Sequence, residues 1–452
     1  MPNLPHIRRE VPSILALAIP IVAGLGASTL LGVTDSVMLA PLGPLPLAAV
    51  GITNAVAIIL FAAIYGLLSA MSVRVGAAHG AGQKRQIPAL LRNGLVLGAI
   101  VGTLGLVVML AAWPLLPWLG QPGEVLAIMF PYWVSIAVMM LPFSLLLVFK
   151  ATFEAVDRPW LGTGFAFLAV GVNVPLNYAL IWGVGPLPML GLTGAGIASL
   201  VAETLALAAA WFFWLRARSM RRLRLRAGLS GTVIVSVARE GAPMGLMYLA
   251  ETGAMAVATL MIGTFGAVAL AGNQVAMSVG GLLYMAPLGV AGAVAIRVAQ
   301  ERGAGNDVAL RPIAWAALAL ATTWLAASAA VLGLYGRTIA GWITDEPEVV
   351  AVAAALFFVF AFSQVMDGVQ STMTGALRGL SDTGFPAWMS MLGYWALGLP
   401  LGWVLAHPIG MGPAGVWTGF IVALGLAAPL LVWRFLRQTT VGRLHAASAA
   451  QV

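Results

Sequence analysis

No cysteine occurs among the 452 residues, which excludes disulfides and thiolate metal sites. Histidine is almost as scarce. His6, His79, His407 and His445 are scattered, and none is spaced to hold a metal. No glycine-rich phosphate loop ending in Lys-Ser or Lys-Thr is present, so nothing reads as an ATP-driven pump. No nucleophile–base pair stands out either, and neither an enzyme nor a cofactor is expected. The most telling shortage is charge. Only 8% of residues are charged, against roughly 25% in soluble proteins. A soluble chain of this composition would have no surface to offer water.

What fills the chain instead is apolar: 61% of residues are hydrophobic, and they come in long runs. Neither Leu95 to Leu119 nor Trp160 to Ala202 contains a charge. About 20 apolar residues take a helix across the hydrocarbon core. Lipid offers no hydrogen-bond partner, so a spanning segment must be a helix or part of a closed barrel. Barrel strands alternate apolar and polar residues over about 10 positions, which these runs do not. The fold class is therefore an all-α membrane protein. Arg8 and Arg9 before the first run imitate a signal peptide, but the run far exceeds the usual apolar segment of about 7–15 residues and shows no convincing cleavage site. It reads as a first span.

Charges, prolines and glycine clusters divide the chain into twelve spans: 12–39, 47–73, 93–117, 126–149, 160–184, 192–215, 236–264, 270–296, 312–335, 350–377, 385–406 and 413–433. With the first end in the cytoplasm, 22 of the 23 basic residues fall on the cytoplasmic side, and only Arg337 falls outside. This bias accounts for the net charge of +8 without a nucleic-acid partner. It places both termini in the cytoplasm and the protein in the cell inner membrane.

The sequence also repeats. At a shift of 223 residues, Pro20 meets Pro243, Gly43 meets Gly266, Gly66 meets Gly289, and Arg74-Val75 meets Arg297-Val298. Further on the shift becomes 225: Ala151 meets Ala376, Asp157 meets Asp382, and Pro175-Leu176 meets Pro400-Leu401. Six spans per half is an even number, so both halves enter the membrane from the same side. The expected architecture is two pseudo-twofold-related six-helix lobes, 1–215 and 236–452, joined by a basic linker, 216–235. Parallel repeats of this kind recur in secondary transporters, with the substrate site near the midplane between repeats.

Four acids sit well inside spans: Asp35, Glu203, Glu251 and Asp367. A carboxylate at the bilayer centre costs about 3 kcal/mol on insertion scales, so such residues face a cavity or a partner. Depth follows from a helical rise of about 1.5 Å per residue. Glu251 lies about 18 Å beyond Arg239, Asp367 about 17 Å before Arg378, and Tyr284 about 20 Å before Arg297. All three share one level, which suits a single cation site. Carboxylate oxygens take hard cations such as Na⁺, and a close carboxylate pair holds a proton equally well. Simple hydrogen bonding between helices is the plainer reading of each. Asp35 lies in the outer half of the first span. Asn173 and Asn177, four apart, share one helix face and offer it a polar pocket. The acids are unequal between the halves: Ala258 stands opposite Asp35, Ser28 opposite Glu251 and Pro142 opposite Asp367. Methionines (20) and tryptophans (15) are numerous and suit varied apolar cations.

These residues resemble the multidrug and toxic compound extrusion (MATE) transporters, in their NorM-type bacterial branch. The resemblance runs through IPIVAGLGASTLLGVTDSVMLAPLG with its acid Asp35, RVGAAHGAGQ at 74–83, NVPLNYALIWG at 173–183, YLAETGAMAV with Glu251, AGNQVAMS at 271–278, and QVMDGVQSTMTGALRGLSD with Asp367. It implies a twelve-helix, monomeric antiporter with two lobes around a V-shaped cavity, exporting small organic cations in exchange for Na⁺ or H⁺. It implies cation binding by Glu251, Asp367 and Tyr284, with Na⁺ held at the two acids, and coupling or substrate binding by Asp35, Asn173 and Asn177. Archaeal and DinF-type relatives can carry a second aspartate at the place of Asn177. Its absence here favours the carboxyl-terminal acids as the coupling site. The outer-loop acids Asp345 and Glu346 fall near positions that touch drug in some members, although a solvated loop is the simpler reading. The alternative is a lipid-linked precursor flippase of the same superfamily, whose members often carry extra spans and basic cavity residues.

Overall fold

The structure, a computed structural model, describes residues 4–185, 188–218, 220 and 228–440. Among them, twelve helices are long and apolar enough to cross a membrane, and there is no β-strand. They are α1 (Leu4–Leu39), α2 (Pro44–Gly80), α3 (Ile87–Ala112), α4 (Gly123–Ala155), α5 (Pro159–Trp182) and α6 (Leu192–Arg216). The second half supplies α7 (Gly231–Gly263), α8 (Ala267–Gly303), α9 (Leu310–Gly341), α10 (Pro347–Gly379), α11 (Gly384–Ala406) and α12 (Pro413–Gln438). Each expected span has its helix. Several run further than the apolar run did: α2 continues past Arg74 to Gly80, and α8 past Arg297 to Gly303. A charge ends an apolar run but not a helix, because arginine is a good helix former and the backbone ladder needs no lipid.

The chain forms two compact units, and they do not divide at the basic segment. One is residues 23–245; the other is 1–22 together with 246–452. The boundaries read from the sequence, 215 and 236, are displaced into the interiors of α1 and α7, to two residues after Pro20 and two after Pro243. Those points are 223 apart, so the displacement obeys the repeat. Packing explains it. Gly289 of α8 has no room for a Cβ beside Ala18 and Val22 of α1, and Glu10 pairs with Arg297 at 3.4 Å. In the other unit, Gly241 and Gly245 of α7 lie against Leu67 and Ala63 of α2, and Glu240 pairs with Arg74. Arg74 and Arg297 are themselves repeat mates. Of the basic segment, residues 219 and 221–227 lie outside the described residues.

Each unit has a hub helix. In the first, α4 packs against α2, α3, α5 and α6; in the second, α10 packs against α8, α9 and α12. The shift of 225 superposes α4 on α10. Within the second unit α11 and α12 meet through small residues. A Cβ on Gly419 would strike the backbone of Gly398 and Gly402, and one on Gly415 would strike Ala406. Close backbone approach of this kind supplies the van der Waals contact that holds helices together in lipid.

Candidate functional site

The six site residues expected from the sequence form two clusters, one inside each unit. In the second unit, Glu251 of α7, Tyr284 of α8 and Asp367 of α10 line common cavities together with Tyr394 of α11. The Tyr284 phenol lies beside the Asp367 carboxylate, and the Tyr394 phenol beside that of Glu251. Each acid therefore has a phenol neighbour. Local structure brings Tyr394 in. Residues Leu392–Gly398 of α11 form π-helical turns, an irregularity that recurs at functional sites. Trp395 in those turns donates to the Ala250 carbonyl at 2.9 Å, which fixes α11 beside Glu251. Tyr394 itself packs against Phe420.

On one side of these four groups lies a cavity of about 210 Å³, whose further lining includes Met255, Met277, Phe360, Trp417, Phe420 and Leu424. Trp417 is held in place by its indole N–H on Asn273 Oδ1 at 2.9 Å. The cavity lining contains no Arg or Lys. Two carboxylates at the rim of an aromatic and methionine wall can attract a cation and accommodate its apolar body. Among the described residues no group of three or more His, Cys, Asp and Glu could hold a metal ion. A monovalent cation here would rely on two carboxylates and neutral oxygens.

In the first unit, Asp35 of α1 is 4% exposed and Asn173 and Asn177 of α5 are fully buried. The Asn177 amide donates to Asp35 Oδ1 at 2.6 Å and to Asn173 Oδ1 at 3.0 Å. Ser199 of α6 donates to Asp35 Oδ2 at 3.0 Å, and Asn173 donates to Ser199 Oγ at 2.9 Å. The Tyr132 phenol of α4 also lies beside Asp35. The carboxylate is thus enclosed by neutral polar groups from three helices, whereas the acids of the second unit border open space. Under the shift of 225, Asn173 and Asn177 correspond to Gly398 and Gly402, the glycines that let α11 meet α12. The same register serves a polar network in one unit and bare backbone packing in the other.

Sequence reasoning missed Tyr394, Tyr132 and Ser199. Tyr394 lies about 15 Å from the start of α11, so its depth marks it in the same way as that of Tyr284. Nothing in the sequence marks Ser199 among the many hydroxyls of the spans. Of the remaining acids, Glu203 is buried and interacts electrostatically with Lys150, while Asp345 and Glu346 are exposed.

The MatE family model matches the chain twice, at residues 20–179 and 243–404. The chain belongs to the MatE family. The two MatE matches begin at Pro20 and Pro243, the same repeat mates. Curated MatE relatives include a probable multidrug resistance protein NorM of Deinococcus radiodurans, 34% identical over 96% of this chain and 97% of that one. A probable multidrug resistance protein NorM of Xanthomonas campestris is 35% identical over 98% of this chain and 97% of its own length. Among solved structures, a MATE protein in a bent conformation superposes with a TM-score of 0.89 at 20% identity, covering 99% of each chain. The eukaryotic MATE transporter AtDTX14 gives 0.86 at 22% identity, over 97% of this chain and 99% of that one. These likenesses establish the MATE fold: an all-α membrane protein with twelve crossing helices.

Proposed function

We propose that this chain is a secondary active multidrug efflux transporter that exchanges cationic, amphipathic compounds for Na⁺ or H⁺ by alternating access. It works in the cell inner membrane with both termini in the cytoplasm. The observation that carries the reading is the juxtaposition in the second unit. Glu251 and Asp367, each beside a tyrosine phenol, stand at the wall of an aromatic and methionine-rich cavity. A coupling cation and an organic cation compete there for the same two carboxylates. Binding of the ion shifts the population toward the form that releases drug. One charge moving down 100 mV yields about 2.3 kcal/mol, which bounds the drug gradient that the electrical term of one ion supports. The names of the relatives, multidrug resistance proteins, support the export of drugs. The cavity's lack of Arg and Lys argues against an anionic lipid-linked precursor as cargo.

Everted membrane vesicles test the reading. Ethidium should accumulate inside them when the lumen is loaded with Na⁺ or made acidic, and the effective gradient identifies the coupling ion. Absence of accumulation under either gradient, with the protein present in the membrane, would refute it.

A further inference from the structure

The carboxylates of the second unit have two sides. The cavity just described lies on one of them. On the other is a smaller space, less apolar than the first, whose polar wall is one face of α10: Asp367, Gln370, Ser371, Thr374 and Arg378, at helical spacings of three and four. It holds about 20 Å³, room for about one water molecule or bare ion. The opposing wall is Met247 and Tyr248 of α7 with Leu288 and Ala291 of α8. A Cβ on Gly375 would strike the Ala291 carbonyl, so α8 and α10 are in close backbone contact alongside the polar face.

In the sequence Arg378 directly follows the expected span 350–377, on its cytoplasmic side. In the structure it is only 4% exposed, and no salt bridge engages it among the described residues. Its Nη2 donates to the Ala291 carbonyl at 3.4 Å, while Nε has no hydrogen-bond partner. Gln370 Oε1 and Thr374 Oγ1 are likewise buried without partners. Gln370 is 5% and Thr374 6% exposed, so bulk water does not serve them. Three polar atoms on successive turns of α10, in residues that line this space, therefore stay buried with hydrogen-bonding capacity unused. Ser381, exposed, lies one turn beyond Arg378. The seam joins the acids to within about 5 Å of helix rise of that turn.

We propose that the coupling cation leaves Glu251 and Asp367 for the cytoplasm along this hydrated seam of α10, with Arg378 at its inner end, while the organic cation uses the larger apolar cavity. The inference rests on the exchange reading above and divides its two cargoes between the two sides of one carboxylate pair. Gln370, Ser371 and Thr374 supply neutral oxygens to a dehydrating monovalent cation. The Arg378 guanidinium keeps the inner end hydrated, and its charge makes that end a place a cation passes but does not occupy, in either direction. The seam is too narrow for an amphipathic compound, so drug cannot leak inward by the ion's route.

The chain contains no cysteine, so single introduced thiols report without ambiguity. Ser371→Cys, Thr374→Cys and, as a control, Ala376→Cys on the buried opposite side of α10 would be treated in vesicles with Ag⁺, a bare monovalent cation that reacts with thiols. The reagent is added to one face, with a thiol scavenger trapped on the other. From the cytoplasmic face, Thr374→Cys should react at least tenfold faster than Ala376→Cys and faster than Ser371→Cys; from the outer face Ser371→Cys should react before Thr374→Cys. Ser371→Cys is nearly isosteric, so the order can be read even if Thr374→Cys folds poorly, by comparing Ser371→Cys with the control. Labelling no faster than the control, or Thr374→Cys reached first from outside, would overturn the proposal. The labelling needs no drug. Loss of ethidium movement with the labelling order intact would refute the exchange reading alone.

Discussion

Glu251 and Asp367 sit well inside long apolar helices, and each lies beside a tyrosine phenol rather than paired with a basic residue. A phenol leaves the negative charge available to a mobile cation, which an arginine would not. Tyr394→Phe keeps the ring against Phe420 and removes the hydroxyl beside Glu251. Hydrogen bonds to charged groups contribute about 1.5–3 kcal/mol, so the apparent affinity for the coupling ion should change by about tenfold or more, measured by ion titration of ethidium release. Asp35 calls for a different test, because its carboxylate is enclosed by the amide and hydroxyl donors around it. Asn177→Leu strips its shortest hydrogen bond and should lower stability by about 1–3 kcal/mol, read as the thermal unfolding of the detergent-purified protein. Asp35, Asn173 and Asn177 were legible in the sequence because an acid and paired amides are rare inside apolar runs. Ser199 and Tyr132 were not, because hydroxyls and phenols pack in membrane helices without function. Only their approach to Asp35 across three helices singles them out.

The helices themselves were easy to read, since run length and lipid's lack of hydrogen bonds leave little choice. Their irregularities were not. The π-helical turns of α11 depend on packing, with Trp395 anchored to Ala250 and Gly398 against Phe420, and no composition signal marks them. The close meeting of α11 and α12 is more readable, from Gly398 and Gly402 facing Gly415 and Gly419. Gly402→Leu drives a side chain into the Val416 backbone. Overpacking of this sort costs about 1–3 kcal/mol, and it should appear as a lower unfolding temperature with normal membrane insertion. The equivalent change in the other half, at Asn177, acts through a lost hydrogen bond instead, so the two repeat-related positions should fail for different reasons.

The duplication made the two halves predictable, but not where the chain passes between the compact units. Nothing in the residues around 22 and 245 announces a boundary. It emerges where Arg74 pairs with Glu240 in the first part of α7, and its repeat mate Arg297 pairs with Glu10 in the first part of α1 as well as with Glu301 of its own helix. What duplication did not preserve is charge. One unit encloses a single acid in neutral hydrogen bonds; the other sets two acids between an apolar cavity and a polar seam. On this account the second unit carries the coupling ion. The most direct test is ion-driven ethidium accumulation by Asp367→Asn in reconstituted vesicles, with insertion verified. The account predicts accumulation indistinguishable from protein-free vesicles, while accumulation at the unmodified protein's rate would contradict it.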